Sequence, residues 1–245
     1  MLVVHVFETL VIAHILSGLV GLIALWIPIA TKKGGRLHRK AGAVFVKSML
    51  VTGTVAIGIA TSTLIAPVET HPHLLDHPLF VGGAETIRAI FGWMMLYLAF
   101  LTINLARYGD RCVKDKVTRG RGPWDSISQA VLFVLSVNCL VQGARVDMPL
   151  MIGISMVGLA TVATNLWYLY KPKVKRYDWQ LEHVKGLVGA GISVYTAFFA
   201  FGAVRFLPEM ALTPFLWSLP LITGLAIILY QQFMIRRKFA GYSVS

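Results

Sequence analysis

The sequence predicts an all-α fold: a polytopic transmembrane helical bundle of seven spans, one domain over residues 1–245, with the N-terminus outside and the C-terminus cytoplasmic. Three observations predict it. Hydrophobic residues make up 56% of the chain and charged residues 14%, against about 25% charged residues in globular proteins. Seven apolar runs reach 20 residues or more, the length that crosses a hydrocarbon core of about 30 Å. Basic residues gather in alternate connections between those runs, which sets an orientation. A soluble enzyme and a disordered chain both fit this composition poorly.

The runs are 8–30, 41–66, 83–106, 126–145, 149–170, 181–204 and 214–235. Apolar residues surround most of them, so length and not periodicity defines each span. Long continuous runs specify helices, whereas barrel strands would show ten-residue alternations. The first basic residue is Lys32, so the basic start of a signal peptide is missing and the first run is expected to be a retained helix. Only Asp147 and its neighbours separate the fourth and fifth runs, which predicts a tight hairpin ending at Pro149.

Segments 31–40, 107–125, 171–180 and the tail after 235 hold 18 of the 23 basic residues. The opposite connections hold Arg145 and Arg205, and Lys47, Arg88 and Lys185 lie inside spans. The basic connections are therefore expected in the cytoplasm. The same segregation accounts for the net charge of +12. Basic loops beside a membrane attract anionic lipid at about 1 kcal/mol per residue, so anionic lipids at the cytoplasmic face are the expected partner and nucleic acid is not. The expected location is the cell inner (plasma) membrane. Cys112 falls in a cytoplasmic loop and Cys139 in the fourth span; two such cysteines make no disulfide framework.

Small residues recur at helix-contact spacing: Ser17 and Gly21, Gly186 and Ala190, with Gly18, Gly53, Gly58, Gly153, Gly158 and Gly189 extending the pattern. Lipid gives no hydrophobic push between helices, so small faces that admit close backbone approach are where helices meet. Such faces could also hold a membrane-protein partner or a second copy of the chain.

Ionisable groups inside a membrane are costly and usually face the bundle interior, so they are where function is sought. His14 lies about 9 Å below the outer end of its helix. Glu85 and Arg88, three apart on one face, can pair. With Glu8, Gln142 and Arg145 these outline an outer polar cluster, His14, Glu85, Arg88 and Gln142 at its centre. A second group lies at the inner boundary: His38 just before the second span and His183 at the start of the sixth, with Asn104, Gln129 and Asn165 at comparable depth. Two histidines on different helices at one depth are a candidate axial pair for haem; headgroup or carbonyl hydrogen bonding is the simpler alternative. Sixteen residues separate His14 from Ala30, or about 24 Å of helix, so no single ion joins the two groups. The outer loop reads ETHPHLLDH at 69–77. Imidazole and carboxylate suit a transition metal, which makes His71, His73 and His77 candidate metal ligands, with a solvated polar loop as the alternative. There is no Walker loop, HExxH, GxSxG or CxxCH, which argues against ATP hydrolysis, serine-type hydrolysis and covalent haem c.

The stretches HILSGLVGLIAL (14–25), GGRLHRKAGAVF (34–45) and EHVKGLVGAGISVYTAFFAFGA (182–203) resemble an uncharacterised family of bacterial multi-pass membrane proteins, known only as a domain of unknown function. The resemblance covers about three spans of seven and implies a helical membrane protein without naming a reaction. It implies motif roles for His14, Gly18, His38, Gly42, His183 and Thr196. The leading expectation is a histidine-based haem or transition-metal site used in electron transfer or in assembly of a redox complex. A small transporter or proton-coupled permease, built on the outer cluster, is the alternative, and a non-catalytic scaffold is the third.

Overall fold

A computed structural model describes residues 2–75, 80, 82–116, 118–119, 121–202 and 214–240. Seven long helices occur among them: α1 (Leu2–Ala30), α2 (Arg36–Ile65), α3 (Ala84–Lys114), α4 (Pro123–Arg145), α5 (Pro149–Tyr170), α6 (Asp178–Ala197) and α7 (Pro214–Ala240). Short turns at Pro67–Thr70 and Pro72–Leu74 join α2 to α3. Six of the seven helices, all but α6, are long and apolar enough to cross a membrane. The protein therefore has the character of a multi-pass integral membrane protein. The first turns of α6 carry Asp178, Gln180, Glu182, His183 and Lys185, and in a helix of 20 residues this polar opening leaves too short an apolar remainder; α2 opens as polar but runs for 30. Arg205, in the segment that follows it, lies outside the described residues.

Local chemistry sets the helix ends. Gly34, at φ 76°, takes the left-handed turn that glycine adopts without penalty, and α2 starts two residues later. Pro123 and Pro149 open α4 and α5, where the missing N–H is not needed. At the head of α4, Asp125 accepts the Gly122 N–H at 3.3 Å. The α4–α5 hairpin is as tight as expected, with Asp147 at φ 50° in the turn. Arg111 and Lys114 close α3, matching the negative end of its dipole.

The helix α3 is the centre of the bundle. Its most apolar window is 67% buried, against 17–39% for the other five spans. It packs on α2, α4 and α6, while α1 with α2, α4 with α5, and α6 with α7 form the flanking pairs. Phe45, Met49, Met94, Tyr97, Leu132 and Met151 fill the interior. Buried hydroxyls bond within the membrane-facing structure, as required where water is absent: Tyr97 donates to the Ile154 carbonyl at 2.6 Å, and Thr102 pairs with Ser193 at 2.7 Å. The small-residue faces lie where helices touch. A side chain at Gly53 would meet Ile103 and the Ala99 carbonyl, and one at Gly186 would meet the backbone of Gly109.

Two features depart from the expected spans. Arg88–Met94 in α3 and Phe198–Gly202 after α6 are π-helical, a rare geometry in which the chain is wound one residue wider per turn. In addition, α3 continues to Lys114, so Cys112 sits buried in its last turn and not in a loop.

Candidate functional site

His38 and His183 come together. His38 stands in the first turn of α2, three residues beyond the glycine turn that redirects the chain from α1. His183 stands one turn into α6. Their ring centroids are 6.5 Å apart with planes inclined at 56°, and both residues are half-buried. His38 Nδ1 lies 3.1 Å from the Pro28 carbonyl, and His183 Nδ1 lies 2.9 Å from the Gly109 carbonyl. A carbonyl only accepts, so each Nδ1 carries the proton that it donates. The neutral ring then presents Nε2 as an unprotonated lone pair. A backbone carbonyl that holds one ring nitrogen of a histidine leaves the other able to bind a metal.

Each anchor has a local cause. The Pro28 carbonyl belongs to the last turn of α1, where no intrahelical N–H remains to bond it. Lys33 donates to the same carbonyl at 2.9 Å, so His38 and Lys33 together cap α1. The Gly109 anchor exists because α3 and α6 touch backbone to backbone at Gly109 and Gly186, one turn from His183. Around it, Glu182 accepts from Tyr108 at 2.6 Å and pairs with Lys185, which also donates to Thr164 at 3.2 Å. Thr164 carried no signal in the sequence; its place is set only by the packing of α5 near α6.

Asn104, Gln129 and Asn165 are buried and form a chain of amides across α3, α4 and α5. Gln129 Nε2 donates to Asn104 Oδ1, and Asn165 Nδ2 donates to Gln129 Oε1, each at 3.4 Å. Their shared depth was readable from the sequence, but their mutual bonding was not. Such interhelical amide bonds are glue in a medium without water. Arg119, at φ 59°, is buried and donates to the Tyr168 and Lys171 carbonyls at 3.1 and 2.7 Å, closing the end of α5. No sequence signal separates it from the other basic loop residues.

Of His14, Glu85, Arg88 and Gln142, Glu85 and Arg88 pair with each other. Arg88 Nη1 and Glu85 Oε1 are 2.5 Å apart, and Arg88 Nε donates to the Leu64 carbonyl at 3.3 Å. His14 turns instead to the α1–α2 seam, with Nδ1 3.2 Å from the Thr52 carbonyl. Among the described residues no hydrogen bond or ion pair joins His14 or Gln142 to the Glu85–Arg88 pair. Gln142 is half-buried near the end of α4.

In the 69–77 loop, His71 and His73 have ring centroids 6.1 Å apart; Asp76 and His77 lie outside the described residues. His71 is buried, its ring 4.5 Å from Phe91 and edge-on to Phe7 at 5.2 Å, with Nδ1 3.0 Å from Thr70 Oγ1. Burial first, and then the neighbouring His73, lowers its pKa from 6.5 to about 4. The folded state thus binds fewer protons than the unfolded chain between those values, so stability rises with pH across that window and is lost as pH falls from 6.5 towards 4. An NMR titration of the imidazole is expected to place the His71 midpoint near 4, with folding weakened as pH falls from 6.5 to that midpoint. A midpoint at 6.5 would mean that the ring is solvated.

Among the described residues, no group of three or more His, Cys, Asp or Glu side chains is placed to hold a metal ion. Comparison of the chain with protein-family models, curated proteins and solved structures finds no match.

Proposed function

We propose that this integral membrane protein uses His38 and His183 as an axial pair for haem iron, in electron transfer or in assembly of a redox complex. The observation that carries the reading is that packing brings two imidazoles from different helices to a centroid separation of 6.5 Å, with the carbonyl bond of each Nδ1 leaving its Nε2 able to bind a metal. The spacing supports it. With metal–nitrogen bonds of about 2 Å, two imidazoles at the observed 6.5 Å centroid separation could hold one ion between them. The donor count supports it as well. A bare transition-metal site usually takes three or four protein ligands, whereas haem asks the protein for only two axial ones. Bound there, haem supplies one-electron chemistry. His38 and His183 would hold the iron, and the Pro28 and Gly109 carbonyls would fix the ring orientations.

The wider arrangement follows the same reading. We infer that α6 is a seventh span, since it packs along α3 and α7 and its 20 residues continue through a five-residue π turn. The basic connections then lie in the cytoplasm of a cell inner membrane, facing anionic lipid, and the haem pair sits at that boundary. Kinship with the multi-pass family is part of the proposal, because two of the stretches that carry the resemblance contain His38 and His183.

Protein extracted in mild detergent is the test. A Soret band with one iron per chain is expected, lost in both His38→Ala and His183→Ala and kept in His14→Ala. A colourless protein with no bound transition metal, after expression with haem supplied, overturns the reading.

A further inference from the structure

At the cationic end of the bundle a cavity of about 630 Å³ opens between the end of α3, the segment leading into α6 and the end of α7. Its size falls in the range of small-molecule sites, about 300–1,000 Å³. Three cations line it, Lys116, Lys175 and Arg176, together with Trp179, Gln180 and Phe239. Several nearby cations face carboxylates, Lys114 with Asp110, Arg111 with Asp115 and Asp125, Lys171 with Asp178, and Lys185 with Glu182, while among the described residues Lys173, Arg236, Arg237 and Lys238 add unneutralised positive charge to the same end of the bundle. Among the described residues Lys116, Lys175 and Arg176 have no carboxylate partner. Asp178, the nearest in sequence, is committed to Lys171 Nζ at 2.6 Å and to the Lys175 backbone N–H at 2.8 Å.

Like charges around one cavity repel unless an anion sits among them. Lys116 meanwhile rests 4.3 Å from the centre of the Trp179 ring, a cation–π contact that an incoming anion can outbid. The rest of the lining is apolar and stiff: Tyr177 stacks on Phe239 at 5.2 Å, and Val174 completes the wall. We propose that this cavity binds a phosphate-bearing anion, with the phosphate among Lys116, Lys175 and Arg176 and the ligand's apolar part on Trp179 and Phe239. The chemistry fits the headgroup of an anionic phospholipid and a free phosphate alike. His38 and His183 are not among its lining residues, and the proposal does not depend on haem binding.

Delipidated full-length protein in mild detergent is titrated with short-chain phosphatidic acid, with phosphatidylcholine of the same chain length and with inorganic phosphate, following tryptophan fluorescence. Phosphatidic acid is expected to bind at least tenfold tighter than phosphatidylcholine, with a signal that Trp179→Phe removes. At about fivefold per basic residue, the triple variant Lys116→Gln, Lys175→Gln, Arg176→Gln should weaken binding more than tenfold. The triple Lys32→Gln, Arg36→Gln, Lys40→Gln, of equal charge change elsewhere on the same face, should weaken binding by well under tenfold, clearly less than the cavity triple. Competition by inorganic phosphate would identify a soluble phosphate site; binding of the lipid alone would identify a headgroup site. Should the triple variant not fold, Arg176→Gln alone is expected to cost about fivefold. Equal binding of the two lipids, or equal loss in both triple variants, overturns the proposal.

Discussion

Replacing Gly186 by alanine is expected to lower the unfolding free energy of the protein by about 2 kcal/mol, within the usual range for overpacking. A Cβ at this position would stand 2.7 Å from Gly109 Cα, 2.8 Å from Gly109 N and 3.0 Å from the Leu105 carbonyl oxygen. All three are backbone atoms, so no side chain can rotate away and the two helices must part. The gain of about 1 kcal/mol in helix propensity does not offset that separation. Because His183 lies one turn earlier and bonds the Gly109 carbonyl at 2.9 Å, the same substitution also slackens the histidine pair. Gly18→Ala is the control. Its Cβ would meet only Thr52 Cγ2, at an ordinary 3.6 Å, and it should be neutral or slightly stabilising. Unfolding in mixed detergent and dodecyl sulfate measures both; equal stability of the two variants would refute the α3–α6 backbone contact.

Asp178→Ala is expected to cost about 2–4 kcal/mol, as the breaking of a largely buried ion pair does. The carboxylate binds Lys171 Nζ at 2.6 Å and the Lys175 N–H at 2.8 Å. Its side chain is 8% exposed and that of Lys171 20%, so little water replaces the lost partner. Asp178→Asn keeps an acceptor for the Lys175 N–H and should fall between. The Lys114–Asp110 pair is the contrast: Lys114 is 69% exposed, and Lys114→Ala should cost less than about 1 kcal/mol. Thermal unfolding of the variants in one detergent ranks them. A neutral Asp178→Ala would show that the carboxylate is solvated and the turn held by other bonds.

What could be read from the sequence was what depends on runs and on local chemistry. Span positions followed from apolar length, and the turn at Asp147 followed from having too few residues between two runs for anything longer. Gly186 and Gly53 were recognisable as contact residues from spacing alone, although Gly109, the opposite surface, was not, since it stands in a polar stretch. The π turns at Arg88–Met94 and Phe198–Gly202 left no trace, because a wider helical turn changes hydrogen-bond partners and not composition. The polar opening of α6 blurred that helix for the same reason that it interests function: costly groups are tolerated where they bond one another. At the candidate site, equal depth of His38 and His183 was legible. Their anchors on Pro28 and Gly109 were not, since backbone carbonyls belong to every residue and only the packed fold selects which are free. His71 among Phe7 and Phe91 is similar: the loop composition suggested ligands, and burial came from a helix some sixty residues earlier.

The seam between α1 and α2 bears on how the chain enters its membrane. Thr52 donates to Ser17 Oγ at 2.9 Å, Ser48 donates to the Ser17 carbonyl, and His14 meets the Thr52 carbonyl, so the polar side chains of this seam are satisfied inside the pair. The hairpin is therefore expected to settle in lipid ahead of the later helices, with Trp26 awaiting Tyr195 of α6, its hydrogen-bond partner at 2.6 Å. Residues 84–114, which need α2, α4 and α6 to cover them, have no such independence and must await later synthesis. The order of biogenesis is thus written into which helices are self-sufficient.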